Sequence, residues 1–281
     1  MPDINLVDTS LKNYYEKTEI SIQVSPDGFS FCIYSSEDKV LRGFRLYKFS
    51  NTLLQEDLLN NTDEVLHKDE LLRLPHQKVR VCYVGRKSTI LPEGFADQEK
   101  YKQILEFNQP IDDLDEVHRN KLHTSNAELI FAVPTYFASL MADKFTQVYF
   151  YNQATPLMHS AIEYCKDEGS LVCIQLNNSF FDLVIVQEGS LKLYNSFLYA
   201  NTTDLLYFIL YAGKQLHADL KNTPSLIVGE QTSNSTLTTE LLPYLKTRIQ
   251  PESTVKQKVS VNLKPQYLAQ FHSLLNLIVC E

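Results

Sequence analysis

The chain of 281 residues is long enough for two domains of ordinary size, each with its own core. A hydrophobic share of 44% and a charged share of 21% are those of a globular protein, and no apolar run approaches the roughly 20 residues that span a bilayer. The net charge of -8, from 34 acidic and 26 basic residues, leaves no electrostatic footprint for nucleic acid.

The start, Met1-Pro2-Asp3-Ile4-Asn5, is acidic and polar where a signal peptide is basic and then apolar, so a cytoplasmic location is expected. Residues 20–25, 28–35 and 41–49 alternate or run apolar in the manner of strands, broken by Ser25-Pro26-Asp27-Gly28 and Ser36-Glu37-Asp38-Lys39. They predict an antiparallel meander. Thr52 with Gln55 marks a helix start, and Leu58, Leu59, Val65, Leu66, Leu71 and Leu72 follow at helical spacing up to Pro75. Residues 78–84 alternate as a strand, 88–92 are expected to pair with it, and 93–106 read as a helix. The charged stretch 112–118 reads as a solvated loop carrying His118 and, just beyond it, His123. Strand 127–133, a helix beyond Pro134, strand 148–151 and helix 155–166 then alternate, which implies parallel pairing through crossovers.

A second meander is predicted at 171–176, 180–187 and 190–197. Asn201 caps the next helix, 224–229 is a buried strand, and 236–247 and 265–278 read as helices. This second meander repeats the first. Ile22, Gln23, Phe29 and Ile33 find identical partners in Ile174, Gln175, Phe181 and Ile185 at a constant spacing, without a gap. Two homologous halves are therefore expected, 1–168 with an insertion at about 54–110, and 169–281, and such halves often hold a ligand between them.

The two repeated hairpins, Leu129-Ile130-Phe131-Ala132-Val133-Pro134 with its following helix, and Leu226-Ile227-Val228-Gly229 together resemble the actin-like ATPase fold. That fold is an α/β architecture of two ribonuclease-H-like domains, with mixed sheets flanked by helices. At closer range Leu193-Tyr194-Asn195-Ser196-Phe197-Leu198-Tyr199, Thr203 to Leu210 and Leu274 to Glu281 resemble a Bacteroidetes family of unknown function with this fold. The resemblance implies an ATP site between the halves, formed by two hairpins of the form Ile-Asp-x-Gly. In them the carboxylates orient hydrated magnesium or water, and the glycines admit phosphate.

In this chain Gln23 and Gln175 hold the two aspartate positions, and Ser25 and Asn177 the two glycine positions. A neutral amide cannot supply the charge that holds magnesium, so hydrolysis is not expected. The turns Ser25-Pro26-Asp27-Gly28 and Asn177-Asn178-Ser179 retain backbone N–H groups for an anion, less the donor that Pro26 lacks. A Gly-Gly pair that would touch adenosine reads Gly229-Glu230. The amides of Gln23 and Gln175 equally suit strand residues bonded to neighbouring backbone, Asp27 suits a turn, and Glu230 a solvated loop. Asp182, on a strand, is the better candidate for a residual polar site.

No histidine pair shows H-x-x-x-H or H-E-x-x-H spacing, no C-x-x-C exists, and Cys32, Cys82, Cys165, Cys173 and Cys280 read as buried thiols. No catalytic residue, metal or cofactor is assigned. Two readings follow: a non-catalytic cytoplasmic binding or scaffold module with a protein partner, by analogy with adaptors of pilus and cell-division machinery, or an ATP-binding, kinase-like phosphotransferase. The second needs an open cleft lined by Asp27 and Asp182.

Overall fold

The computed structural model describes all residues except 9–10, 12–16, 50–53, 124, 167–168, 234, 246, 256–257 and 281. The expected cap at Thr52 and the boundary residues Asp167 and Glu168 lie outside the described residues.

Strand β1 (Ile4–Val7) is followed by the meander β2 (Thr18–Ser25), β3 (Gly28–Ser35) and β4 (Leu41–Lys48). Helix α1 (Gln55–Lys68) buries Leu58, Val65 and Leu66, the spacing of one helical face. Strand β5 (Lys78–Tyr83) then pairs parallel to β2. The chain next leaves this sheet for β6 (Ser88–Pro92), α2 (Tyr101–Asn108), β7 (Asp115–Leu122), β8 (Ala127–Pro134) and α3 (Thr135–Lys144). It returns as β9 (Val148–Asn152), parallel to β5, and α4 (Ala154–Tyr164).

The second meander is β10 (Leu171–Leu176), β11 (Phe180–Gln187) and β12 (Ser190–Leu198). Helix α5 (Thr202–Gln215) follows, capped by Asn201, whose side chain accepts from the Asp204 N–H at 3.1 Å. Then come β13 (Pro224–Val228), α6 (Ser235–Leu241), β14 (Thr247–Arg248), α7 (Pro265–Gln270) and α8 (His272–Asn276).

The sheet orders are β1-β4-β3-β2-β5-β9 and β12-β11-β10-β13-β14, with β6-β8-β7 as a small third sheet. Apart from β1, the two large sheets have one plan: three antiparallel strands, with two more added parallel to the first. The largest core runs through both, joining Ile20, Ile22 and Val81 to Val184, Val186 and Leu226. Buried α4 packs on β10, β11 and α8. All five cysteines are buried free thiols.

Six expectations are corrected. Residues 88–92 pair with β8, not β5, and β8 runs antiparallel in the small sheet instead of entering a parallel crossover. The helix read over 93–106 starts only at Tyr101, because Gly94 turns the chain at φ 73°. Residues 115–122 are a strand, not a loop. Two of its three buried positions are polar: Asp115 pairs with Lys87 at 2.6 Å, and Asn120 donates to the Phe150 carbonyl at 2.8 Å. The helix read over 236–247 ends at Leu241. The last helix breaks at Phe271, whose ring packs on Phe44 at 5.1 Å between centroids.

Candidate functional site

Both hairpins bring their turns to the region where the two halves meet. In the first, Gln23 lies opposite Ser30 and beside Cys82 of the parallel strand; in the second, Gln175 lies opposite Asp182 and beside Val228. The turn at Pro26-Asp27 is tight because Gly28 follows. A Cβ there would stand 2.4 Å from the Tyr47 carbonyl oxygen, so this glycine admits the chain's own neighbouring strand. Gln23, Ser25, Gly28, Gln175 and Asn177 are buried, Asp27 is half-buried, and Asn178 and Ser179 are exposed.

Neither glutamine spends its amide on adjacent backbone in the bonds seen. Gln23 Nε2 donates to Glu230 Oε1 at 3.4 Å, and Gln175 Oε1 accepts from Ser273 Oγ at 2.7 Å. Glu230 is therefore not a solvated loop carboxylate. It reaches from the end of β13 into the first hairpin, where Ser25 Oγ also donates to Oε1 at 2.7 Å. Its other neighbour is the carboxyl group of Asp27, which in turn accepts from Asn178 Nδ2 at 3.3 Å. The two turns thus touch each other, bridged by side chains.

Burial, and after it the hydrogen bond to Asp27, pushes Glu230 up to about 8. A carboxyl group at 4.5 in the unfolded chain and about 8 in the folded one binds an extra proton in the native state between those values, so its contribution is full below 4.5 and is lost as pH rises through 8. Stability of the native chain is expected to fall by on the order of 2 kcal/mol between pH 6 and 8. Glu230→Gln keeps a neutral side chain at every pH and flattens that fall; urea titrations at both pH values check it, and equal slopes in the two proteins would remove Glu230 as its source.

Asp182 sits in a second cluster, wholly buried. Its Oδ2 accepts from Gln153 Nε2 at 3.0 Å and Asn177 Nδ2 at 3.3 Å, and its Oδ1 from Tyr194 Oη at 3.4 Å. Burial raises it to about 6 against the pull of these donors. Gln153, just before α4, also exchanges two bonds of 3.0 Å with Gly85, whose N–H donates to Oε1 and whose carbonyl accepts from Nε2. Gln153, Tyr194 and Ser273 carry this cluster, and no local pattern marks them, because their partners are distant in sequence.

Of the expected site residues, the fold thus joins Gln23, Ser25, Asp27, Asn178 and Glu230 in one cluster and Asn177 with Asp182 in another. Gly28 and Gly229 lie against the chain's own backbone, and Ser179 points to no side-chain partner in the bonds seen. Phe180, at the start of β11, lies in one apolar cluster with Cys82, Val84, Tyr151, Leu277 and Cys280. A pocket of about 160 Å³ borders Asp27, Gly28, Lys48 and Glu230. Among the described residues no group of three or more His, Cys, Asp or Glu side chains is placed to hold a metal, and no helix is long and apolar enough to cross a membrane.

The chain is similar to a protein with actin-like ATPase fold and unknown function from Bacteroides thetaiotaomicron VPI-5482. The TM-score is 0.80 at 21% identity, over 96% of this chain and 98% of that one. It is also similar to a chain of the PilM-PilN type IV pilus biogenesis complex, with a TM-score of 0.58 at 10% identity over 93% of this chain and 97% of that one. No curated protein matches. The fold is accordingly the actin-like ATPase fold. A family model described as a protein of unknown function (DUF3822) matches residues 9–247, and the chain belongs to that family.

Proposed function

We propose that this protein is a non-catalytic, cytoplasmic binding module of actin-like fold, with a degenerate nucleotide site and a protein as its partner. The observation that carries this reading is the Glu230 carboxyl group seated on Ser25 and Gln23 and against Asp27. An acidic group fills the space beside the first turn, where a nucleotide would bring phosphate of the same sign, and the adjoining pocket of about 160 Å³ is below the roughly 300 Å³ at which ligand sites begin. Gln23 and Gln175 supply no charge for magnesium. The phosphotransferase alternative is opposed by Asp182, which is buried under three side-chain donors and faces no cleft, and by the packing of Phe180. A partner protein is favoured by the similarity to a chain from a pilus biogenesis complex.

The two halves on this reading are 1–168 and 169–281. The first half carries an insertion, read at about 54–110; the common strand order, which matches α1 with α5 and β5 with β13, favours a later one that includes β6, β7 and β8. Isothermal calorimetry with Mg-ATP and Mg-ADP tests the proposal. No saturable heat is expected at nucleotide concentrations up to about 1 mM. Micromolar binding accompanied by phosphate release would overturn it.

A further inference from the structure

A groove lies away from the two hairpin turns. Strands β6 and β12 are edges of different sheets and run side by side. They meet where Ser88 Oγ and Tyr194 Oη stand 2.6 Å apart, and beside that contact a groove of about 490 Å³ lies between Ile90, Leu91 and Pro92 on one side and Leu191, Lys192 and Leu193 on the other. Among the described residues, no backbone hydrogen bond joins the two strands.

An edge strand turns every second N–H and C=O away from its one neighbour. Here two such edges border the same groove, and β12 is nine residues long, at the upper end of ordinary strand length and well above the very short edges with which proteins avoid unwanted pairing. The lining offers aliphatic side chains and a single charged group, Lys192. Ser125, Asn126, Ser190 and Tyr194 also line it, uncharged groups that can bond the amides of an extended peptide. An extended peptide supplies what the edges lack: its backbone pairs with them, its alternate side chains meet the leucine and isoleucine positions, and an acidic side chain answers Lys192.

We propose that the groove between β6 and β12 binds an extended, acidic and apolar segment of a partner protein by strand addition. This rests on the binding-module reading and gives it a place on the molecule. Octapeptides selected against the full chain from a random display library, then synthesised, test it by amide hydrogen exchange and fluorescence anisotropy. The selected peptides are expected to alternate apolar residues and to carry Asp or Glu, and to slow exchange at residues 89–91 and 190–193. N-methylation of alternate peptide amides is expected to abolish binding. Lys192→Glu, at an exposed position, should weaken binding about threefold, with recovery when the peptide acid is changed to lysine. A selection that yields no binder, or peptides that protect other amides, overturns the groove. Protection elsewhere would still leave a binding module, whereas Mg-ATP turnover would strike that reading and not this one.

Discussion

Asp182→Ala is expected to leave the protein about 3 kcal/mol or more less stable than Asp182→Asn, whose neutral amide escapes the burial cost of the ionised carboxylate at pH 7. The alanine removes the acceptor shared by Gln153 Nε2 and Asn177 Nδ2 and leaves those amides buried around a cavity too confined to rehydrate them freely. Asparagine keeps an oxygen toward the two amides and can turn its NH2 to Tyr194 Oη, which is free to donate to Ser88 Oγ. The ionised group at neutral pH is thus held by donors alone. Because burial lifts it from 3.8 to about 6, its contribution is largest below 3.8 and declines as pH rises through 6, and the asparagine variant removes that slope. Urea unfolding of both variants at pH 7 measures the difference. An alanine variant no less stable than the asparagine one would mean that the cluster does not fasten the halves together.

The two meanders were readable to within a residue or two because β2, β3, β10 and β11 are buried on both faces and strong turn residues bound the strands, Pro26-Asp27 in one and Glu188-Gly189 in the other. Asn201 announced α5 by local chemistry alone. In the small sheet β6 and β8 were readable as strands, but their pairing and the strand β7 were not. Strand β7 buries Asp115 and Asn120, and the groups that make their burial tolerable, Lys87, Phe150 and Thr155, come from other elements. The same holds at the candidate site. Sequence placed Gln23 and Gln175 at equivalent strand positions and flagged Glu230 and Asp182. It could not pair Glu230 with Ser25, or Gln175 with Ser273, since those contacts arise only when the two large sheets and the C-terminal helices close on one core. Long-range polar contacts of this kind leave no period and no motif in the chain.

Gly229→Ala is expected to cost about 3 kcal/mol or more, which for a chain of this size lowers the melting temperature by about 5 °C or more. The residue has φ 104°, a conformation that an L side chain adopts only under strain, and a Cβ there would lie 2.4 Å from the Leu176 carbonyl oxygen and 2.8 Å from its nitrogen. The obstacle is backbone, at the very end of β10, so no rotamer change relieves it. The N–H of Gly229 is already committed to the Ala269 carbonyl at 2.9 Å, and its own carbonyl accepts from Thr232 Oγ1 at 2.7 Å. In the actin-like plan this glycine belongs to a pair that admits a nucleotide; here the space it leaves is taken by the second hairpin itself. That close approach also sets where Glu230 begins, and so brings its carboxyl group onto Ser25. The variant should therefore lose the fall in stability between pH 6 and 8 along with its melting temperature. Thermal unfolding at those two pH values separates the possibilities: a variant of unchanged stability with altered nucleotide binding would make Gly229 a ligand glycine, whereas a large loss with a flattened pH profile makes it the residue that holds the two turns closed.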